Sequence, residues 1–127
     1  MDFTSPINST YLFVNQSENV TFEWRYEIGD AQPTYRLRCG YRYPIQEWIV
    51  AIDGDSSAQV KPKFQSKVEV MNTTNNRIGF MLKNCQFADV GDIGCQMIYN
   101  NFPHYSQLYY LQIYGECVHF LTLPSSI

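Results

Sequence analysis

Val20, Phe22 and Trp24 alternate with Thr21, Glu23 and Arg25. The same two-residue rhythm returns at Ile78, Phe80 and Leu82, at Ile93, Cys95 and Met97, and at Leu111 and Ile113. A period of two puts apolar side chains on one face of a strand and polar ones on the other. Turn-forming clusters punctuate these runs: Asn15-Gln-Ser-Glu18, Gly29-Asp-Ala-Gln-Pro33, Asp53-Gly-Asp-Ser-Ser57 and Asn72-Thr-Thr-Asn-Asn76. No segment sustains the 3.6-residue period of a helix. The chain is therefore expected to be all-β. Strands are predicted at 11–14, 20–25, 34–43, 47–52, 64–71, 78–82, 93–97 and 108–114, with 1–9 as a polar lead-in and 100–107 as a loop.

Composition narrows the function. Ten Tyr, eight Phe and two Trp suit strands and recognition surfaces better than a helical enzyme. A net charge of −3 supplies no basic stripe, so nucleic acid is not an expected partner. His104 and His119 are too few and too scattered for a metal cluster, and Asp53-Gly-Asp55 lacks the further oxygen ligands of a calcium loop. No nucleophile elbow, phosphate-binding loop or paired carboxylates stand out. Neither catalysis nor a cofactor is expected.

Two counts point to a secretory route. Four Cys, none in a CxxC spacing, allow two disulfides in a small β-rich domain. Four N-glycosylation sequons begin at Asn8, Asn15, Asn19 and Asn72. The longest apolar run is only 48–52, far short of the roughly 20 residues of a membrane span. The domain is expected to be the extracellular part of a longer, single-pass membrane protein.

Residues 85–95 carry the most specific pattern: Cys85, Asp89, Gly91, Ile93 and Cys95. They resemble the strand F signature of variable-type immunoglobulin-superfamily domains, Leu-x-x-x-Asp-x-Gly/Ala-x-Tyr-x-Cys, with Cys85 in the Leu place and Ile93 in the Tyr place. The phrase Glu18-Asn-Val-Thr-Phe-Glu-Trp24 is similar to the strand B phrase of the same family, with Trp24 where the first core Cys belongs. The place of the strand C Trp falls on Leu37 or Cys39. The resemblance covers 11–115 and implies a two-sheet immunoglobulin-like β-sandwich of variable type that lacks the usual strand B cysteine. Residues 1–115 would form that domain, and 116–127 a C-terminal tail or the start of another. Strand G lacks the Phe-Gly-x-Gly of antigen-receptor joining segments. Among variable-type domains without the strand B Cys, the chain is similar to the allorecognition receptors of colonial cnidarians.

The resemblance also implies partners within the fold. Lys63 takes the place of the basic residue that pairs with the strand F Asp, so a Lys63–Asp89 salt bridge is expected. With Trp24 in place of Cys, Cys95 needs another partner. Cys39, on the neighbouring strand, should lie opposite it, which leaves Cys85 for Cys117. Four Cys allow three connectivities, and the sequence excludes neither of the others.

The sequons map to strands A and B and to the D–E turn, which would shield one sheet and leave the other bare. The bare sheet should present Arg36, Arg38 and Arg42 from strand C, Gln96 and Ile98 from strand F, and Tyr110, Gln112 and Tyr114 from strand G. The 100–107 loop and its approach would add Tyr99, Phe102, His104 and Tyr105. Tyr and Arg anchor protein interfaces because they bury much area yet offer polar tips. The expected function is recognition of another protein by a cell-surface receptor, homophilic through this sheet, with Glu47, Asp53 and Asp55 answering the arginines across a two-fold axis. The alternative of the same fold is a viral glycoprotein domain that binds a host immune receptor.

Overall fold

The computed structural model describes residues 2–29, 35–54, 56–74 and 76–115. The C-terminal tail at 116–127, with Cys117 and His119, lies outside them, as does Asp55. Among the described residues the strands are β1 (Asp2–Ser5), β2 (Thr10–Asn15), β3 (Val20–Glu27), β4 (Arg36–Tyr43), β5 (Glu47–Asp53) and β6 (Gln59–Val60). They continue with β7 (Val68–Val70), β8 (Arg77–Leu82), β9 (Gly91–Tyr99), β10 (Phe102–Tyr105) and β11 (Tyr109–Tyr114). The smaller sheet runs β1-β3-β8-β7; the larger runs β2-β11-β9-β4-β5-β6, with β10 folded against β9. The two sheets pack face to face as an immunoglobulin-like sandwich, and β5 and β6 extend the larger one beyond β4.

The alternating residues meet as the period requires. In the β3–β8 pair Phe22 faces Phe80 and Trp24 faces Ile78, all buried. Leu37, Ile93, Met97 and Leu111 close over them from the other sheet. Trp24 is fully buried, with its ring centroid 5.3 Å from Tyr109 and 5.8 Å from Phe80. Two polar ties cross between the sheets beside it. The Trp24 indole N–H donates to the Gln107 carbonyl at 3.1 Å, and the Tyr109 hydroxyl donates to the Glu23 carbonyl at 2.9 Å.

The disulfide lies within one sheet. Cys39 and Cys95 sit directly opposite on β4 and β9, with Cα atoms 4.0 Å apart, and are bonded. The Cys95 N–H donates to Ser106 Oγ at 2.7 Å, and its carbonyl accepts from the Ser106 N–H at 2.9 Å. Both backbone groups of Cys95 therefore point away from β4. Cys39 and Cys95 occupy a non-hydrogen-bonded site of the ladder, where side chains approach most closely. Cys85 is a free, buried thiol that reaches the Leu82 carbonyl at 3.7 Å. Burial, and then the charge of Asp89, push its pKa up. The expected bridge to Cys117 is thus not supported at Cys85, and Cys117 itself lies outside the described residues.

The turn before β9 is locked by reciprocal bonds. The Gln86 N–H donates to Asp89 Oδ2 at 2.7 Å, and the Asp89 N–H returns to the Gln86 carbonyl at 2.8 Å. Tyr41 donates its hydroxyl to the Asp89 carbonyl at 2.8 Å. Tyr41 is the register partner of Ile93, so its hydroxyl reaches this turn from the strand beside β9. A Cβ on Gly91 would lie 2.8 Å from the Tyr43 carbonyl oxygen, which is why Gly holds that place.

Four further expectations about ion pairing and strand layout need correction. The Lys63–Asp89 salt bridge does not form: Lys67 Nζ pairs with Asp89 Oδ2 at 2.8 Å, and Lys63 pairs with Glu47 at 2.8 Å. Residues Pro62–Phe64 wind into a 3-10 turn and β7 starts only at Val68, so the basic residue leading into that strand is Lys67. Residues 1–9 are no mere lead-in, because β1 pairs with β3. The 100–107 segment is no open loop, because β10 pairs with β9 from Phe102↔Tyr99 to Tyr105↔Gln96. Nor do all the sequons border one sheet, because Asn15 ends β2, which runs parallel to β11 on the larger sheet.

Candidate functional site

The outer face of the larger sheet gathers most of the predicted recognition residues. Arg36 and Arg38 of β4 lie opposite Ile98 and Gln96 of β9. Both arginines turn toward Asp53 at the end of β5, Arg38 at 2.8 Å and Arg36 at 3.7 Å. That contact, led by the Arg38 hydrogen bond, holds the Asp53 carboxyl below its usual range. Lys61 and Lys63 close on Glu47 in the same way, and the Lys63 hydrogen bond leads in lowering its pKa.

Aromatic rings alternate with these cations. Trp48 lies under both Arg38, 5.9 Å from the ring centroid, and Lys61, 5.6 Å away. The Arg42 guanidinium sits 4.6 Å over the Tyr105 ring. Gln96 donates to the Tyr105 hydroxyl at 3.2 Å, so β9 and β10 present one continuous polar-aromatic surface. Such contacts orient an Arg without neutralising it. Among the described residues Arg42 has no acidic partner.

Tyr110 and Gln112 project from β11 as expected, half-buried and exposed respectively. They continue into a strip that the sequence did not suggest. Tyr11 and Phe13 of β2 stand beside Tyr110 and Tyr114, with centroids 4.8 Å apart for Tyr11–Tyr110 and 5.7 Å for Phe13–Tyr114. Tyr11 is 62% exposed and Phe13 57%. Their parity against Leu12 and Val14 was legible; the pairing of β2 with β11 was not, because it is set by contacts nearly a hundred residues apart.

Tyr99 departs from expectation. It shares the inward parity of Cys95 and Met97 and packs on the core, leaving Phe102, its partner in the β9–β10 hairpin, exposed. His104 is half-buried on β10. The four sequon asparagines are all exposed, and Asn19 also accepts a bond from the Asn84 N–H at 2.9 Å. Among the described residues no group of His, Cys, Asp and Glu is placed to hold a metal ion.

What this surface can do is bind, by burying rings and engaging guanidinium groups. No protein-family model matches the chain, and no curated protein matches it.

Proposed function

We propose that this chain is a variable-type extracellular recognition domain of a cell-surface receptor, which binds another protein through the outer face of β4, β5, β9 and β11. One observation carries the proposal. Arg36, Arg38, Arg42, Trp48 and Tyr105 converge on the solvent side of a single sheet, where cation and ring alternate. Arg and aromatic residues dominate binding energy at protein interfaces.

The expected self-recognition across a two-fold axis had Glu47, Asp53 and Asp55 answering the arginines of a second copy; Asp55 lies outside the described residues, which leaves Glu47 and Asp53 to weigh. Each of these carboxylates already holds two cations of its own chain. The face is therefore cationic toward a partner, and a different, acidic protein suits it better than a copy of itself. Homophilic pairing is the second reading, favoured by the uncharged strip of Tyr11, Phe13, Tyr110 and Tyr114, which can meet its own symmetry mate. The resemblance to allorecognition receptors supports that second form.

A tetramerised domain that stains intact partner-bearing cells tests the proposal. Charge reversal at Arg36 or Arg38, or Tyr110→Ala, should abolish staining, with little change in melting temperature for Tyr110→Ala and a moderate fall for the Arg38 variant, which loses its pair with Asp53. Substitutions at Thr21 or Glu23, on the opposite sheet, should leave it intact. The reverse pattern would place the site on the wrong sheet. Sedimentation of the domain at high concentration separates the two forms of recognition, since only the homophilic one self-associates.

A further inference from the structure

Arg42 is shared by two adjoining hollows on the proposed face. One, of about 210 Å³, is lined by Arg38, Arg42, Gln46, Trp48 and Gln96. The other, of about 320 Å³, is lined by Arg42, Asp92, Tyr105 and Ser106 among others. Gly40 and Gly94 face each other in register along the floor of the first. Neither position has room for a side chain: a Cβ on Gly94 would strike Leu108 and one on Gly40 the Glu47 carbonyl. Both positions are therefore held to glycine, and neither puts a side chain into the recess beside Arg42.

Charge decides what suits it. On and beside this face Arg36, Arg38, Arg42, Lys61 and Lys63 outnumber Glu47, Asp53 and Asp92 among the described residues, although the whole chain is net negative at −3. Arg38 already has Asp53, while among the described residues Arg42 lies over the Tyr105 ring and makes no ion pair, with Asp92 lining the same hollow. A guanidinium fixed over a ring and lacking an acid offers its planar fork to a carboxylate, the geometry in which Arg binds most strongly.

We infer that the recess at Arg42 seats a carboxylate side chain from a different, acidic protein, with Gln96 as the neighbouring amide donor. This rests on the larger sheet being the recognition face, and it names the chemistry of the partner. Two copies meeting face to face would bring Arg42 against the same cationic surface, which disfavours a second copy as the occupant.

The probe is a capped tetraglutamate peptide, titrated into the isotope-labelled domain while amide resonances are followed, with tetraglutamine as its uncharged counterpart. Tetraglutamate should shift amides of β4, β9 and β10 around Arg42, and tetraglutamine should not. Arg42→Gln should weaken tetraglutamate by about tenfold or more, the loss expected for a hydrogen bond to a charged group. Arg25→Gln, on the other sheet beside Glu23, should bind as the parent does, and an unchanged amide spectrum elsewhere shows that each variant is folded. Equal binding of tetraglutamine, or undiminished binding by Arg42→Gln, overturns the inference and leaves the choice of sheet standing. Shifts confined to β3 and β8 overturn both. Sialyllactose binding at Arg42 more tightly than tetraglutamate would make the partner an acidic glycan and overturn the protein assignment. Self-association that Arg42→Gln abolishes would overturn it in favour of a second copy.

Discussion

Trp24 and Gln107 join the two sheets: the indole N–H donates to the Gln107 carbonyl at 3.1 Å across the core. Among the described residues no disulfide crosses between the sheets, because Cys95 bonds to Cys39 within its own sheet, as expected. Ring packing and two hydrogen bonds hold the sheets together where a disulfide would.

Trp24→Ala should therefore be among the most damaging single changes in the domain, costing about 3–5 kcal/mol for an emptied aromatic site. Trp24→Phe keeps most of the packing but leaves the Gln107 carbonyl without its donor, and should fall between that variant and the parent. Urea unfolding of the three proteins orders them. A neutral Trp24→Phe would show that the indole N–H contributes nothing.

Replacing Cys39 and Cys95 together by Ala should cost about 2–4 kcal/mol, within the range usual for a disulfide, and leave the sandwich folded. Non-reducing peptide mapping should recover the Cys39–Cys95 pair. Cys85, buried and with its pKa raised, should resist alkylation until the domain is unfolded. A linked peptide joining Cys39 to Cys85 would refute this connectivity.

Tyr41→Phe deletes only the hydroxyl that reaches the Asp89 carbonyl. It should cost about 1 kcal/mol, the net worth of one hydrogen bond. Amide exchange should quicken at 86–91 before it does elsewhere. Uniform exchange would mean that the hydroxyl does not hold this turn.

A double-mutant cycle should find coupling of up to about 1 kcal/mol between Lys67 and Asp89, as for a partly exposed ion pair. The same cycle between Lys63 and Asp89 should give none, because Lys63 is engaged with Glu47. Coupling at Lys63 instead of Lys67 would contradict the observed pairing.

Acid should weaken the recognition face. Glu47 and Asp53 have folded-state pKa values below their ordinary 4.5 and 3.8. A depressed carboxylate pKa means that the stabilisation is whole above the ordinary value and is lost as pH falls through the lowered one. Through these pairs the melting temperature should thus not change with pH near neutrality and should decline below the ordinary carboxylate range. The double variant Glu47→Gln, Asp53→Asn should show a shallower acid decline than the parent. An equally steep decline would assign the acid sensitivity to other groups.

Alternation at 20–25, 78–82 and 93–97 was enough to determine the strands and the side chains they bury, because a period of two is a local property of the backbone. Those parities, combined with the resemblance, also placed Cys39 opposite Cys95 and put Arg36, Arg38 and Gln96 on one outer face. Only the tertiary structure decided that the Tyr41 hydroxyl reaches the turn before β9 from the neighbouring strand. It also decided that β2 joins β11, which creates the strip at Tyr11 and Phe13, and that Lys67 and not Lys63 meets Asp89. Sheet membership and ion pairing depend on which distant segments come side by side. A 3-10 turn at Pro62–Phe64 shifts a strand start without altering any local hydrophobic period, so it leaves no trace in the pattern.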